Sequence, residues 1–296
     1  MSEAKVGPRL QVLLLCGGLW LIGNPLVLKA QSSRSATDTL ATLAGQRVVM
    51  LRGLGAVHIA GTNGPPQTRV GINLVMPVQR VDGRQVWIVS TSGADSGWVE
   101  LDSVRPLRGS VEYFDALIAR DPQRWDAYLR RAEAEHALNM RDAATADYSR
   151  AIDLHPNEAF LYLRRGRHYN TLKACRKEAE DFRHAVELAA TSAHQDYNVV
   201  AELHSLESGV YFACPDTAFR DYARGLTLAK QAAAEDPSRA TLVTILAAAY
   251  AQAGDLDAAV KTQRAALARP DFPPGYRADA EQTLARYLAT AKTKPK

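Results

Sequence analysis

The stretch that decides the fold is Leu246-Ala-Ala-Ala-Tyr-Ala-Gln-Ala-Gly-Asp-Leu-Asp-Ala-Ala-Val260. Its small and large apolar residues recur with a helical period rather than the period of two that marks a strand. Ala266 continues the same pattern beyond the stretch. Small side chains at such positions let two helices approach closely. The stretch therefore predicts tightly packed helices.

The same pattern recurs upstream at a fixed interval, starting after Arg108-Gly109. Corresponding residues lie 34 residues apart in several independent columns, and such coincidence at one period predicts stacked helical hairpins. The columns are Phe114, Tyr148 and Phe182; Leu117, Ala151 and Ala185; Ile118, Ile152 and Val186; Tyr128 and Tyr162; Ala132 and Gly166; Pro122 and Pro156.

These columns resemble the tetratricopeptide (TPR) family, whose unit is a 34-residue pair of antiparallel helices. The resemblance implies small residues where helices approach closely and aromatic residues where gaps are filled. Two positions depart from it: Glu178 replaces a small residue in the second repeat, and Glu135 replaces an aromatic residue in the first. We expect a connecting helix at 109–124, about four TPR repeats over 125–270 with an insertion in the third, and a C-terminal capping helix and tail at 271–296.

Residues 45–108 have a different character, with short β-branched runs separated by turn residues. Asp82-Gly83 lies between two such runs and predicts a β-hairpin. The predicted strands are Arg47–Leu51, Ala56–Ile59, Asn73–Met76, Val78–Val81, Gln85–Val89 and Gly97–Val99. Five or six strands in this length are enough for a small barrel.

The end of this block resembles bacterial SH3-like domains. Val86-Trp-Ile-Val89, a loop, and then Gly97-Trp-Val-Glu-Leu-Asp-Ser-Val104 follow that family's order of a Trp-bearing strand, a loop and a closing segment. Glu100 and Ser103 stand where peptide-binding SH3 domains carry Pro and Tyr, so no polyproline groove is expected. The fold class is therefore multi-domain and mainly α, with a small all-β SH3-like barrel followed by an α-helical TPR solenoid.

Residues 1–32 are interpreted as a signal peptide or N-terminal anchor, and 33–44 as a linker. Lys5 and Arg9 precede an apolar run at 10–22, and small residues follow at 30–32, as before an export cleavage site. The alternative, an uncleaved anchor, remains open because apolar residues resume at 26–28. Both interpretations predict an exported protein of the periplasm or cell envelope, secreted or membrane-anchored.

Two cysteines lie beyond this leader, Cys175 and Cys214. They form a disulfide in an oxidising compartment or stay buried and unpaired, and the sequence leaves both alternatives open. The formal net charge is +4, with acidic and basic residues interleaved between the two termini. Such interleaving argues against a nucleic-acid partner, which requires clustered cations.

No catalytic, cofactor-binding or metal-binding residue is predicted, and the protein is not expected to be an enzyme. His184 with Glu187 and His204 with Glu207 have helical spacing, but neither pair has a nearby third ligand. The Gly53-Leu-Gly55 segment precedes no helix and therefore does not predict a dinucleotide site.

The TPR resemblance implies a concave channel that accepts an extended or helical segment of a partner protein. The positions that line it are Leu129, Glu133 and His136 in the first repeat; Phe160, Leu163, Arg167 and Asn170 in the second; and Thr244, Ala248 and Gln252 in the fourth. The family's chaperone-binding members hold a C-terminal carboxylate with Lys and Asn. The Leu129/Glu133 and Leu163/Arg167 pairs do not match that pattern, so this ligand is not expected.

The sequence thus favours a non-catalytic scaffold that binds a protein or peptide segment in the TPR groove. The alternative is a cell-wall or glycan-binding protein acting through the SH3-like domain. A regulatory subunit of an enzyme is a third hypothesis that the sequence does not separate from the first. A membrane partner is expected only if the N-terminal segment is uncleaved.

Overall fold

The computed structural model describes residues 43–51, 56–57, 67–68, 74–89, 96–191, 197–270 and 272–293. The predicted leader, most of the predicted linker and the Gly53-Leu-Gly55 segment lie outside the described residues. Residues from Leu43 onward belong to one structural unit. In the part of the chain that is described, no helix has the length and apolar character needed to cross a membrane.

Within the described residues, seven strands precede the helices: β1 (Arg47–Met50), β2 (Ala56–Val57), β3 (Gln67–Thr68), β4 (Val75–Asp82), β5 (Gln85–Val89), β6 (Ser96–Glu100) and β7 (Val104–Pro106). Five of them form an antiparallel sheet in the order β6-β5-β4-β1-β7, and β2 pairs with β3 in a separate ribbon. In this described sheet β6 and β7 are the two edge strands and do not pair with each other. The five strands therefore form an open sheet and not the closed barrel that we expected.

Strand β4 belongs to both halves of the sheet. Its first residues pair with β1, and its residues from Val78 onward pair with β5, with a shift of register between Val78 and Arg80. The predicted hairpin at Asp82-Gly83 is confirmed, because Asp82 pairs with Gln85 and Gly83 has a φ of 54°. This left-handed backbone conformation favours glycine.

Ten α-helices follow in the described residues: α1 (Ser110–Arg120), α2 (Trp125–Ala137), α3 (Arg141–Leu154), α4 (Ala159–Thr171), α5 (Cys175–Thr191), α6 (Tyr197–Ala213), α7 (Tyr222–Glu235), α8 (Ala240–Gln252), α9 (Leu256–Leu267) and α10 (Pro274–Thr293). Helices α2/α3, α4/α5, α6/α7 and α8/α9 pack in pairs, which we call hairpins 1 to 4. The predicted array of paired helices is confirmed. In hairpin 3 a short 3-10 helix, Thr217–Phe219, lies between the two helices.

Small residues let the helices of a hairpin approach each other, as the repeat columns predicted. Gly166 in α4 faces Phe182 in α5, and a Cβ atom added at Gly166 would lie 2.7 Å from the Phe182 ring. Ala132 occupies the corresponding place in hairpin 1 and is fully buried.

Hairpins 1 and 2 also share a repeated ion pair between their two helices. Arg131 Nε donates to Asp147 at 2.6 Å, and Arg165 Nε donates to Asp181 at 2.9 Å, in each case with a second bond to the same carboxylate. Both arginines and both acids are 34 residues apart. Such two-point arginine–carboxylate contacts fix the relative position of the helices.

The sheet packs directly against hairpin 1. Arg130 in α2 donates to the Met50 carbonyl at the end of β1, and Arg47 Nη2 donates to the Ala137 carbonyl at the end of α2, at 2.9 Å. Leu129 belongs to the same hydrophobic cluster as the buried face of the sheet. The expected separation into two domains is therefore corrected, since the sheet and the first hairpin share one core.

The disulfide alternative for the two cysteines is the one that the structure shows. Cys175, the first residue of α5, is bonded to Cys214, which directly follows α6, with their Cα atoms 5.9 Å apart. The bond links hairpin 2 to hairpin 3.

Candidate functional site

A cavity of about 400 Å³ lies where the sheet meets hairpins 1 and 2. We call it the junction cavity. Helix α2, helix α4 and strand β1 supply its charged and imidazole side chains, which are Glu133, His136, Arg164, Arg167, His168 and Arg47. The neighbouring strand β4 adds apolar surface from Val75 and Pro77. The cavity is thus polar where α2, α4 and Arg47 line it and apolar where β4 lines it.

The most deeply buried ion pair of the cavity joins Glu133 and Arg164. Both side chains are almost fully buried, at 3% and 6% exposure. Arg164 Nε donates to Glu133 Oε1 at 2.6 Å and its Nη2 donates to Oε2, while the Tyr148 hydroxyl donates to Oε1 at 2.7 Å. Burial alone would raise the pKa of Glu133, but the Arg164 guanidinium outweighs it and lowers that pKa below its usual range. Glu133 is therefore ionised.

Arg164 retains one donor that this pair does not use. Its Nη1 atom is buried and has no hydrogen-bond partner among the described residues. Buried polar groups in folded proteins nearly always have a partner, so such a donor calls for an explanation. An acceptor brought by a ligand would supply one.

Two histidines form the side of the cavity next to α3. His136 Nδ1 and His168 Nδ1 are 2.8 Å apart, and His168 Nε2 is 2.8 Å from the Thr145 hydroxyl. Because that hydroxyl donates to the Arg141 carbonyl at 3.0 Å, it accepts the proton of His168 Nε2. His168 Nδ1 then accepts the proton of His136 Nδ1, so the His168 ring is neutral in this arrangement.

Burial favours this neutral state. It lowers the pKa of His136 and of His168, and the charge of His136 lowers the pKa of His168 further. At neutral pH the two rings therefore add no charge to the cavity, and its charges are those of the arginines and Glu133.

Each of the other two arginines has a hydrogen-bond partner other than Glu133. Arg167 Nη2 donates to Glu202 Oε1 in α6 at 2.9 Å, and burial lowers the pKa of Arg167 from its usual value. Arg47 is held by the Ala137 carbonyl. Three guanidinium groups thus meet at this cavity, and Glu133 is the one carboxylate among its described lining residues.

Comparison with known proteins yields only distant similarities. No protein-family model matches the chain, and no curated protein matches it. Among solved structures, the chain is similar to MamA. The identity is 15%, the match covers 61% of this chain and 92% of that chain, and the TM-score is 0.45.

Two further structures are similar at the same level. MamA from Desulfovibrio magneticus RS-1 is 12% identical over 64% of this chain and 88% of its own, with a TM-score of 0.42. TTC0263, a thermophilic TPR protein of Thermus thermophilus, is 18% identical over 62% and 91%, with a TM-score of 0.41. We draw no functional argument from similarities of this size; the hairpin architecture rests on the helix contacts described above.

Three residues predicted to line the groove do meet in the junction cavity: Glu133, His136 and Arg167. Three others, Leu129, Phe160 and Leu163, have exposures of 0%, 6% and 1%, and their prediction as open groove residues is corrected. They belong to the hydrophobic core that the sheet shares with hairpins 1 and 2, which leaves them closed to a partner segment.

The remaining predicted residues lie elsewhere. Asn170 is exposed, and its amide donates to Glu178 Oε1 at 2.8 Å, so it holds a carboxylate of its own hairpin. Thr244 and Ala248 line a second cavity of about 290 Å³ between α8 and α10, which we call the C-terminal cavity. Gln252 is exposed at the end of α8. Partner binding by these residues stays a prediction.

Sequence reasoning missed Arg164, His168 and Arg47. A signal for Arg164 was present, since Arg130-Arg131 and Arg164-Arg165 recur one period apart. Charged residues in a fixed repeat column suggest a fixed structural position and not a solvated face. Arg47 has no such signal, because it lies on a strand outside the repeat.

Metal binding has no support in the described part of the chain. No group of three or more His, Cys, Asp or Glu side chains there is arranged to hold an ion.

Proposed function

We propose that the protein is a non-catalytic scaffold that binds a segment of a partner protein at the junction cavity. The cavity carries this proposal. It lies in the size range of ligand sites, about 300–1,000 Å³, and its polar side chains come from three separate elements. A cavity of this size fits side chains of an extended or helical segment and not a folded domain.

We also propose that the protein acts in the bacterial cell envelope. The basic residues and apolar run at the N-terminus support export. The Cys175–Cys214 disulfide supports an oxidising compartment, because cytosolic thiols are kept reduced.

The sheet fits an SH3-like domain in its order of elements. The Trp-bearing strand β5 is followed by β6 with Gly97-Trp98-Val99, then by a 3-10 turn at Leu101–Ser103 and the short strand β7. This is the order that the sequence resemblance implied. We propose the relationship on that basis.

The test of partner binding is photo-crosslinking in the native cell. A photoreactive residue replaces Ala137, which lines the junction cavity, and in a matched strain replaces Ala146, which is exposed on α3. We expect a discrete protein adduct from position 137 and none of the same mass from position 146. Identical adducts from both positions, or none from position 137, would rule out the proposal.

A second function has one specific observation in its favour. Trp87 and Trp98 lie side by side on the sheet with ring centres 5.3 Å apart, and the Arg80 guanidinium lies 5.4 Å from each ring. Both indoles are partly exposed, while Val86 and Val99 beside them face the core. Partly exposed aromatic rings with a polar neighbour suit a glycan ligand.

The glycan alternative is tested with the full chain, because the sheet shares its core with hairpin 1. Insoluble cell-wall material is mixed with the wild type, Trp87→Ala, Arg80→Gln and a control, Tyr222→Ala on α7. Glycan binding predicts that the first two substitutions reduce the sedimented fraction and that the control does not. Failure of the wild type to sediment would end this alternative.

A further inference from the structure

The charges of the junction cavity do not balance among its described lining residues. Three guanidinium groups line it, from Arg47, Arg164 and Arg167, against the single carboxylate of Glu133. Arg167 is also paired with Glu202, which lies on α6 outside the lining. Even with that pair counted, one positive charge remains.

Glu133 has no capacity left to neutralise a second cation. Its two oxygens accept from Arg164, and one of them also accepts from the Tyr148 hydroxyl. The neutral His136–His168 pair is likewise occupied by its internal hydrogen bond. The groups already present therefore leave the positive surplus in place.

The unpartnered donor lies in the same place as this surplus. Arg164 lines the cavity, is 94% buried by the exposure given above, and has an Nη1 without a partner among the described residues. A guanidinium carries five N–H donors in a planar fork that matches the two oxygens of a carboxylate. An anionic oxygen is the acceptor that this site lacks.

The shape of the lining narrows the class of anion. Val75 and Pro77 of β4 give the cavity apolar surface, and Ala137 adds to it. A small inorganic anion makes no use of that surface, whereas the methylene groups of an acidic side chain would pack on it while the carboxylate reached the arginines. The lining thus matches a side chain with an aliphatic stem and an anionic end.

We propose that the junction cavity receives the carboxylate of a glutamate or aspartate side chain from the partner segment, with Arg164 and Arg167 as its principal receptors. This inference rests on the proposed function and names the chemistry of the group that is bound. The site differs from the one that holds a C-terminal carboxylate in chaperone-binding TPR proteins, because three residues of the sheet, Arg47, Val75 and Pro77, help to build it.

Three short peptides test the inference on the full-length protein by titration calorimetry or NMR. They are acetyl-Ala-Ala-Glu-Ala-Ala-amide, its glutamine analogue, and the glutamine analogue with a free C-terminal carboxylate. We expect the glutamate peptide to bind at least about tenfold more tightly than the other two, as loss of a charged hydrogen bond predicts. Equal binding of all three, or preference for the free chain end, would overturn the proposal, as would tighter binding of inorganic phosphate.

Two variants test whether the peptide binds in the cavity. Arg167→Gln should weaken the glutamate peptide by about tenfold, while the control Arg150→Gln, at an exposed position of α3, should leave its affinity unchanged. The double variant Glu133→Gln/Arg164→Met removes the buried pair together and should also weaken the peptide. Unchanged affinity in both cavity variants would contradict the inference.

The outcomes separate this inference from the function on which it rests. If position 137 crosslinks a partner and Arg167→Gln leaves the affinity for that partner unchanged, the scaffold proposal stands and the carboxylate site is wrong. If the glutamate peptide binds as described but no cellular partner is captured, the carboxylate site stands and the scaffold proposal is wrong.

Discussion

Hairpins 1 and 4 are built on the same repeat but bury different kinds of side chain. Hairpin 1 buries the charged groups of Arg130, Glu133, Glu135 and Asp147. The buried residues of hairpin 4 are apolar except for Gln263, whose amide donates to the Ala280 carbonyl of α10 at 3.0 Å. The difference shows that the apolar repeat columns specify the architecture, while charged residues at other positions of hairpins 1 and 2 create a polar site where the sheet meets the array.

The two cavities follow the same division. The junction cavity contains three arginines, whereas the C-terminal cavity is lined mainly by uncharged residues of α8 and α10, such as Ile245 and Thr283. Substitutions in hairpin 1 should therefore act mainly through charge, and those at the close helix contacts through packing.

The largest effect is expected from Arg164→Met. It leaves the Glu133 carboxylate buried without its partner, and such a loss costs about 3–5 kcal/mol of unfolding free energy. Chemical denaturation of the full chain measures it. The double variant Glu133→Gln/Arg164→Met should recover most of that loss, because no charge is then left unpaired. A single-variant loss below about 1 kcal/mol would show that the pair contributes little.

Removal of the disulfide should have the next largest effect. The variant Cys175→Ser/Cys214→Ser opens a loop with a sequence separation of 39 residues, for which the chain-entropy relation gives about 3–4 kcal/mol. Denaturation of the wild type with and without reductant gives the same quantity independently. Stability that is unaffected by both treatments would mean that the link between hairpins 2 and 3 adds nothing to folding.

Glu135→Gln should stabilise the protein at high pH and not at low pH. Burial, with the Asp147 charge adding to it, raises the pKa of Glu135 to about 7. The folded state therefore holds this proton more tightly than the unfolded state. The protonated Glu135 therefore contributes fully to the free energy of unfolding below the ordinary glutamate pKa, and this contribution is lost as the pH rises through about 7.

The gain from Glu135→Gln at pH 8 relative to pH 5 should be on the order of 2 kcal/mol, at about 1.4 kcal/mol for each unit of pKa shift. Thermal unfolding at the two pH values measures it. Glu180→Gln, at an exposed position of α5, serves as the control and should show no such dependence. A gain that is equal at both pH values would contradict the raised pKa.

The smallest effect is expected from Gly166→Ala. The added Cβ would lie 2.7 Å from Phe182, and overpacking of this kind costs about 1–3 kcal/mol, from which the better helix propensity of alanine subtracts up to about 1 kcal/mol. Ala132 and Ala247 occupy the same column in hairpins 1 and 4, so Ala132→Gly is the matched reverse change. If Gly166→Ala leaves the free energy of unfolding unchanged, the two helices of hairpin 2 can move apart enough to accept the added methyl group.

The helical hairpins were predictable because their information is local and periodic. Columns such as Phe114, Tyr148 and Phe182 repeat at one interval, and each of these side chains is buried in the structure. The two departures were also visible in the sequence. Both Glu135 and Glu178 are buried, and burial raises the pKa of each.

The site was predictable only in part, because it depends on contacts between distant segments. Leu129 was expected to line the channel, but it is buried in the core that the sheet and hairpin 1 share, and no pattern within the repeat encodes that packing. Arg47 reaches Ala137 across 90 residues of sequence. His136 and His168 lie in different helices, and only the stacking of hairpins 1 and 2 brings their rings together.

The most direct test of the account is hydrogen exchange of the full chain with and without the partner segment recovered by crosslinking. The account predicts that protection on binding concentrates in peptides covering α2 and α4, with little change in α8 and α10. Protection confined to α8–α10, or spread evenly along the array, would contradict the claim that the partner binds where the sheet meets the first two hairpins.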